Sequence, residues 1–147
     1  MIYIVAEHNG VELKKYLFQK ATQAGLEIID LYDVSDKDDD YPVVARILAE
    51  RMKDDKTSFG VAICGSGQGI NMAMNRYPWV RAALPISVIQ AQKTRQHNDA
   101  NCLSIGADET NPEKAFELLK VFIETKSPIE ERHLRRIDQM KNGENNT

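Results

Sequence analysis

A chain of 147 residues with a formal charge of −3 is sized for one domain, residues 1–147, burying roughly two-thirds of the surface its unfolded form exposes. Mixed charge without a basic excess argues against general nucleic-acid affinity, and no apolar run approaches the roughly 20 residues of a membrane span. Met1 leads straight into strand-like residues rather than a signal sequence, so the expected location is cytoplasmic.

In chain order, Ile2–Ala6 is predicted as a first strand, with Glu7, His8, Asn9 and Gly10 in the turn after it. Val11–Ala24 carries Leu13, Tyr16, Leu17 and Ala21 at helical spacing, and Gly25 is placed as the stop. Leu26–Leu31 reads as a second strand, followed by an acidic loop from Tyr32 to Asp40. Its run Asp36–Asp40 lacks the spaced ligands, central glycine and terminal glutamate of a calcium loop, so it reads as solvated and no metal is expected. Tyr41-Pro42 opens a helix with Val43, Val44, Ile47, Leu48 and Met52 as its apolar stripe.

Phe59–Cys64 is a short apolar run predicted as a buried third strand, and Cys64-Gly65-Ser66-Gly67-Gln68-Gly69 forms a glycine turn into a helix over Ile70–Asn75. A strand, a glycine turn and a helix start aim backbone N–H groups at one point, where an anion fits. Cys64 stands at the lip of that strand, and a thiol beside amide donors tends toward the thiolate, which is a base. The plainer reading is a tight turn beside a small buried hydrophobe. The loop is not a dinucleotide fingerprint, since Ile70 stands where the third glycine would be required. Cys64 and Cys102 lack the C-x-x-C spacing of a zinc or thioredoxin-like site, so both are expected to be reduced.

Val80–Leu84 is predicted as strand four, and Ser87 with Gln90 as the capping box of a helix ending in Arg95-Gln96-His97-Asn98-Asp99. Cys102–Ile105 follows as strand five, and Asn111-Pro112 starts a helix with Ala115, Phe116, Leu118, Leu119, Phe122 and Ile123 on its core side. Five strands alternating with helices imply a parallel sheet covered on both faces, a Rossmann-like three-layer αβα sandwich with a C-terminal helix. Ligands of such sheets bind beyond the strand C-termini, which gathers Glu7, His8 and Cys64–Gly69 on one rim. His97 and Asn98, at a helix C-terminus, are expected on the opposite rim of the same chain, and a second subunit could bring them to the loop. The tail helix, Pro128–Met140, places Arg132 and Arg136 one turn apart, a pair suited to a phosphate dianion. A solvated face pairing with Glu130, Glu131 and Asp138 is the equal alternative, and Lys141–Thr147 is expected to fray.

These motifs together resemble the type B ribose-5-phosphate isomerases, with the galactose-6-phosphate isomerase subunits more distant. The resemblance is carried by Glu7-His8-Asn9-Gly10, Asp40-Tyr41-Pro42, the Cys64–Gly69 loop, Asn75-Arg76, Val80-Arg81-Ala82, Arg95 through Asn101, and Arg132 with Arg136. It implies interconversion of D-ribose 5-phosphate and D-ribulose 5-phosphate through a cis-enediolate, without metal or organic cofactor. By the same resemblance Cys64 is the proton-transfer base and the amides of Ser66, Gly67 and Gly69, next to Gly65, hold the enediolate. His97 assists ring opening, Asn98 binds sugar oxygens, Tyr41 lines the pocket, and His8, Arg132 and Arg136 hold the phosphate. Dimers or tetramers with sites between subunits are also implied. Two residues depart from the family pattern: Glu7 replaces an aspartate, and Asp108 stands where an arginine commonly lies near the phosphate. Glu7 would shift its hydroxyl contacts by about one methylene, and Asp108, in leaving the phosphate to Arg132 and Arg136, predicts weaker substrate affinity. The other readings are a galactose-6-phosphate isomerase subunit, from which His97 argues away, and a non-catalytic sugar-phosphate-binding module on the same scaffold.

Overall fold

A computed structural model describes residues 1–33 and 39–143. The strands are β1 (Ile2–Ala6), β2 (Ile28–Asp30), β3 (Phe59–Cys64), β4 (Ala82–Ala83) and β5 (Cys102–Gly106). The helices are α1 (Val11–Gln23), α2 (Tyr41–Asp54), α3 (Gln68–Met74), α4 (Val88–Asn98), α5 (Pro112–Glu124) and α6 (Glu131–Gly143), with a 3-10 turn at His8–Gly10. All pairings are parallel, in the order β2-β1-β3-β5-β4. The three-layer parallel architecture read from the alternation of strands and helices is the one observed.

Register explains the two cores. Ile4 pairs with Val61 and Val61 with Leu103, and these alternate positions, with Ile63 and Ile105, face α1 and α5 to pack on Leu17, Leu119 and Phe122. The intervening positions Tyr3, Val5, Ala62, Cys64 and Cys102 face α2 and α3 and pack on Val44, Leu48, Ile70 and Met74. Period-2 side-chain alternation on strands buried on both faces produces this split. Each fully buried member, such as Phe122 or Leu48, contributes about 1.5–3 kcal/mol against exposure.

Several boundaries differ from those predicted. β2 is three residues rather than Leu26–Leu31, and at its start Leu26 N–H is drawn to Ala21 O in the last turn of α1. β4 keeps only Ala82 and Ala83 of Val80–Leu84, since side-chain amides replace its ladder. Asn75 both donates to Ala82 O and accepts from Ala82 N–H, and Asn101 does the same for Trp79 O and Arg81 N–H. Val43, predicted in the buried stripe of α2, is exposed, and Ala45 and Ala49 are buried instead. Ser87 caps α4 by accepting from Gln90 N–H, but the Gln90 side chain reaches back to Ile86 N–H rather than to Ser87. α6 begins at Glu131 instead of Pro128 and runs through Gly143, so Lys141–Gly143, predicted to fray, are helical. Residues 36–38 of the acidic run and 144–147 of the tail lie outside the described residues. No helix among the described residues is long and apolar enough to cross a membrane.

Candidate active site

β1 and β3 run side by side in register, Ala6 opposite Ile63, so the segments that leave their C-termini meet. Glu7 N–H donates to Ile63 O at 3.0 Å, and Glu7 turns its carboxylate back to cap the 3-10 turn. That carboxylate is buried and takes Asn9 N–H at 2.8 Å, with His8 Nδ1 3.0 Å away. The strand order reverses between β1 and β3, the place where open parallel sheets bind their ligands.

Cys64 ends β3 on the α2 and α3 side, 5% exposed, and its Sγ accepts the N–H of Gly67 at 3.1 Å. The chain reaches that bond by reversing at Gly67, which has φ +77°. A Cβ at Gly67 would stand 2.7 Å from Leu84 Cδ1 and 2.8 Å from Gly106 N, so neither the conformation nor the space admits a side chain. Gly67 O then accepts from Asn71 N–H at 3.1 Å as the first bond of α3. Ser66 Oγ accepts from Gln68 N–H at 3.2 Å. Gly69 N–H belongs to the first turn, ahead of the bonds a helix makes to itself. The Tyr41 ring lies against Gly69, with its ring carbons 2.8 Å from where a Cβ would be. Of the three loop amides assigned to an anion, that of Gly67 is therefore aimed at the sulfur.

Asp108 closes this rim. Its N–H donates to Gly65 O at 2.9 Å, and its Oδ2 lies 2.9 Å from the position a Gly65 Cβ would take. Asp108 thus sets a carboxylate directly over the glycine loop.

The other predicted site residues gather elsewhere. Cys64 pairs with Gly106 at the C-terminal end of β5, whereas His97 and Asn98 precede the N-terminal end of that strand. The chain alone does not bring His97 to Cys64. His97 lines a cavity of about 530 Å³ with Gln96 and the 125–130 segment, and its ring stacks on His133 of α6. Asn98, one residue on, faces a separate recess with Leu84, Pro85 and Lys93. Arg132 pairs with Glu130 at 3.1 Å and is mostly exposed, as is Arg136. The pairing with Glu130 is one that the solvated-face alternative anticipated.

Cys102 cannot share the role of Cys64. It is fully buried, and burial pushes its thiol well above the ordinary range. Cys102 is registered with Gly60, four positions along β3 from Cys64. At ~3.3 Å per residue that is about 13 Å, beyond the roughly 7 Å between Cα atoms that a disulfide spans.

Three structural supports escaped the sequence reading. Arg95 is buried, its guanidinium over Phe59 and Phe122, and it donates to Asp99, Ala100 O, Thr125 O and Ser127, fastening the end of α4 to the chain before α6. Burial is the main influence on it and lowers its pKa from the ordinary arginine value, against the raising effect of Asp99. Lys14, buried inside α1, pairs with Asp30 at 3.0 Å. His133 is buried with Ile137 one turn later, an i, i+4 pattern that was present in the tail's sequence.

Over residues 2–140 the chain matches the sequence profile of a family described as Ribose/Galactose Isomerase. The chain belongs to this family. It is 37% identical over 138 residues to a Mycobacterium tuberculosis protein named ribose-5-phosphate isomerase B, covering 93% of this chain and 85% of that one. It is likewise 37% identical over 124 residues to a Mycoplasma pneumoniae protein named probable ribose-5-phosphate isomerase B, covering 84% and 82%. The crystal structure of ribose-5-phosphate isomerase B from Mycoplasma genitalium, with bound ribulose-5-phosphate, superposes with a TM-score of 0.92 at 32% identity, covering 99% of this chain and 97% of the other.

Proposed function

We propose that this ribose/galactose isomerase family member interconverts D-ribose 5-phosphate and D-ribulose 5-phosphate, with Cys64 as the base that moves a proton between C2 and C1. The observation that carries the reading is the Cys64 sulfur at the strand's end, accepting a loop N–H at 3.1 Å beside the chain reversal at Gly67. The donated N–H fixes the sulfur at the end of the strand beside the loop amides, the placement a proton-transfer base requires. The relatives named above support the substrate class.

The proton inventory is simple. His97 takes the proton from the hydroxyl on C1 of the furanose, the bond from C1 to the ring oxygen breaks, and that oxygen leaves with the electron pair and collects the proton. The Cys64 thiolate then removes the C2 proton, and the electrons move onto the aldehyde oxygen to give the cis-enediolate. Loop donors from Ser66 and Gly69 hold that negative oxygen, a contribution worth about 2.7–4 kcal/mol of barrier per donor in comparable sites. A proton passes from the C2 hydroxyl to the C1 oxygen, and the thiol returns its proton to C1, leaving the ketone at C2. Arg132, Arg136 and His8 bind the phosphate, Asn98 and Glu7 the sugar hydroxyls, and Tyr41 walls the loop. Because His97 and Arg132 sit away from Cys64 in one chain, the complete site uses two copies of the chain.

Turnover of ribose 5-phosphate by wild type and Cys64→Ala tests the assignment. The variant is expected to lose about 10³-fold in kcat while still binding the sugar phosphate, because the thiol acts on a carbon-bound proton and not on the phosphate. Near-normal turnover by Cys64→Ala contradicts the assignment of the base.

A further inference from the structure

The ring of His133 lies on that of His97 with centroids 4.3 Å apart and planes 16° from parallel. The two members differ in setting. His97 is part-exposed toward the cavity it lines, whereas His133 is only 6% exposed. The buried Nε2 of His133 has no hydrogen-bond partner among the described residues, the nearest acid being Glu130 at 3.9 Å. A buried polar atom without a partner costs stability, so a ring that packing alone could replace calls for another reason to be there. The elements around it are firmly held, since Arg95 ties the end of α4 to Thr125 O and Ser127 and Ile137 is buried beneath the same face of α6.

We propose that His133 is a positioning residue for sugar ring opening, its ring stacked on His97 to fix the plane in which that imidazole accepts and returns a proton. The inference rests on His97 being the ring-opening group. A stacked neighbour suits this task only if it stays uncharged when His97 takes up its proton, because two cations face to face repel. The surroundings favour that state. Burial first, then His97, Arg132 and Arg136, lower the pKa of His133, against the raising effect of Glu130. The aromatic face thus meets His97 without competing for its proton, leaving the other side of His97 to the cavity.

The test combines turnover of ribose 5-phosphate with deuterium uptake from solvent at C1 of ribulose 5-phosphate, a ketose that has no furanose ring to open. Wild type, His97→Ala, His133→Ala, His133→Gln and His133→Phe are compared, with thermal melting to confirm folding. His133→Ala is expected to lower kcat about tenfold or more, with KM within about threefold and deuterium uptake at the wild-type rate. His133→Gln keeps volume without a ring and should behave as the alanine variant, whereas His133→Phe restores kcat to within about threefold of wild type. Wild-type kcat in folded His133→Ala or His133→Gln, parallel loss of turnover and deuterium uptake, or failure of phenylalanine to rescue overturns the inference. Normal turnover by His97→Ala removes the reading beneath it, whereas an impaired His97→Ala beside an unimpaired His133→Ala removes the inference alone.

Discussion

Gly67 carries the loop more than any other single residue, because its conformation and its crowding act together. With φ at +77° and no room for a Cβ, Gly67→Ala has to distort the segment that delivers an N–H to the Cys64 sulfur. A loss of about 1–3 kcal/mol in unfolding free energy by denaturant titration is expected, with kcat reduced at least about tenfold. A second expectation concerns Asp108, whose carboxylate lies over Gly65. If a phosphate approaches this rim, Asp108→Arg exchanges repulsion for a charge-assisted contact and should lower KM for ribose 5-phosphate about tenfold, or ~1.4 kcal/mol. An unchanged KM places the phosphate elsewhere. Residues of this kind were legible in the sequence because strand, turn and helix start are local, so Cys64 and its glycines came as one motif.

Elements were legible where apolar periodicity governs them, and less so where side chains stand in for backbone. α1, α2, α5 and the three central strands follow their apolar spacing, whereas α4 was read from its Ser87 cap. The short edge strands do not, because Asn75 and Asn101 mimic a neighbouring strand for β4 and Leu26 bonds back to α1 ahead of β2. The contact of His97 with His133 was hidden for a different reason, since it joins two helices distant in the chain and has no local signature. It has a measurable consequence for stability. His133 has its pKa lowered in the folded protein, chiefly by burial, so below the ordinary histidine value the unfolded chain binds more protons than the folded one. Stability from this group is present above about pH 6.5 and declines as pH falls through that value toward the lower folded pKa. The drop in melting temperature between about pH 7.5 and pH 5.5 should therefore be smaller in His133→Phe than in wild type. An equal drop in both assigns the pH dependence to other groups.

At the scale of the molecule, the fold sorts the proposed site residues into two groups. Glu7, His8, Tyr41 and Cys64–Gly69 lie at the C-terminal rim of the sheet, and His97, Arg132, His133 and Arg136 belong to α4 and α6 beyond the opposite end of β5. This separation was readable from the position of His97 at a helix C-terminus, because a parallel sheet directs all strand ends to one rim and all helix ends to the other. The proposed two-copy site requires the first group of one copy to meet the second group of the other. The arrangement can be tested without any structure of an assembly, by producing Cys64→Ala and His97→Ala chains together in one cell and assaying the mixture on ribose 5-phosphate. Each variant alone should be nearly inactive. Random pairing places both wild-type groups in one site of every mixed pair, so the co-produced protein should recover about a quarter of wild-type kcat. A mixture no more active than its parents contradicts a site shared between two copies.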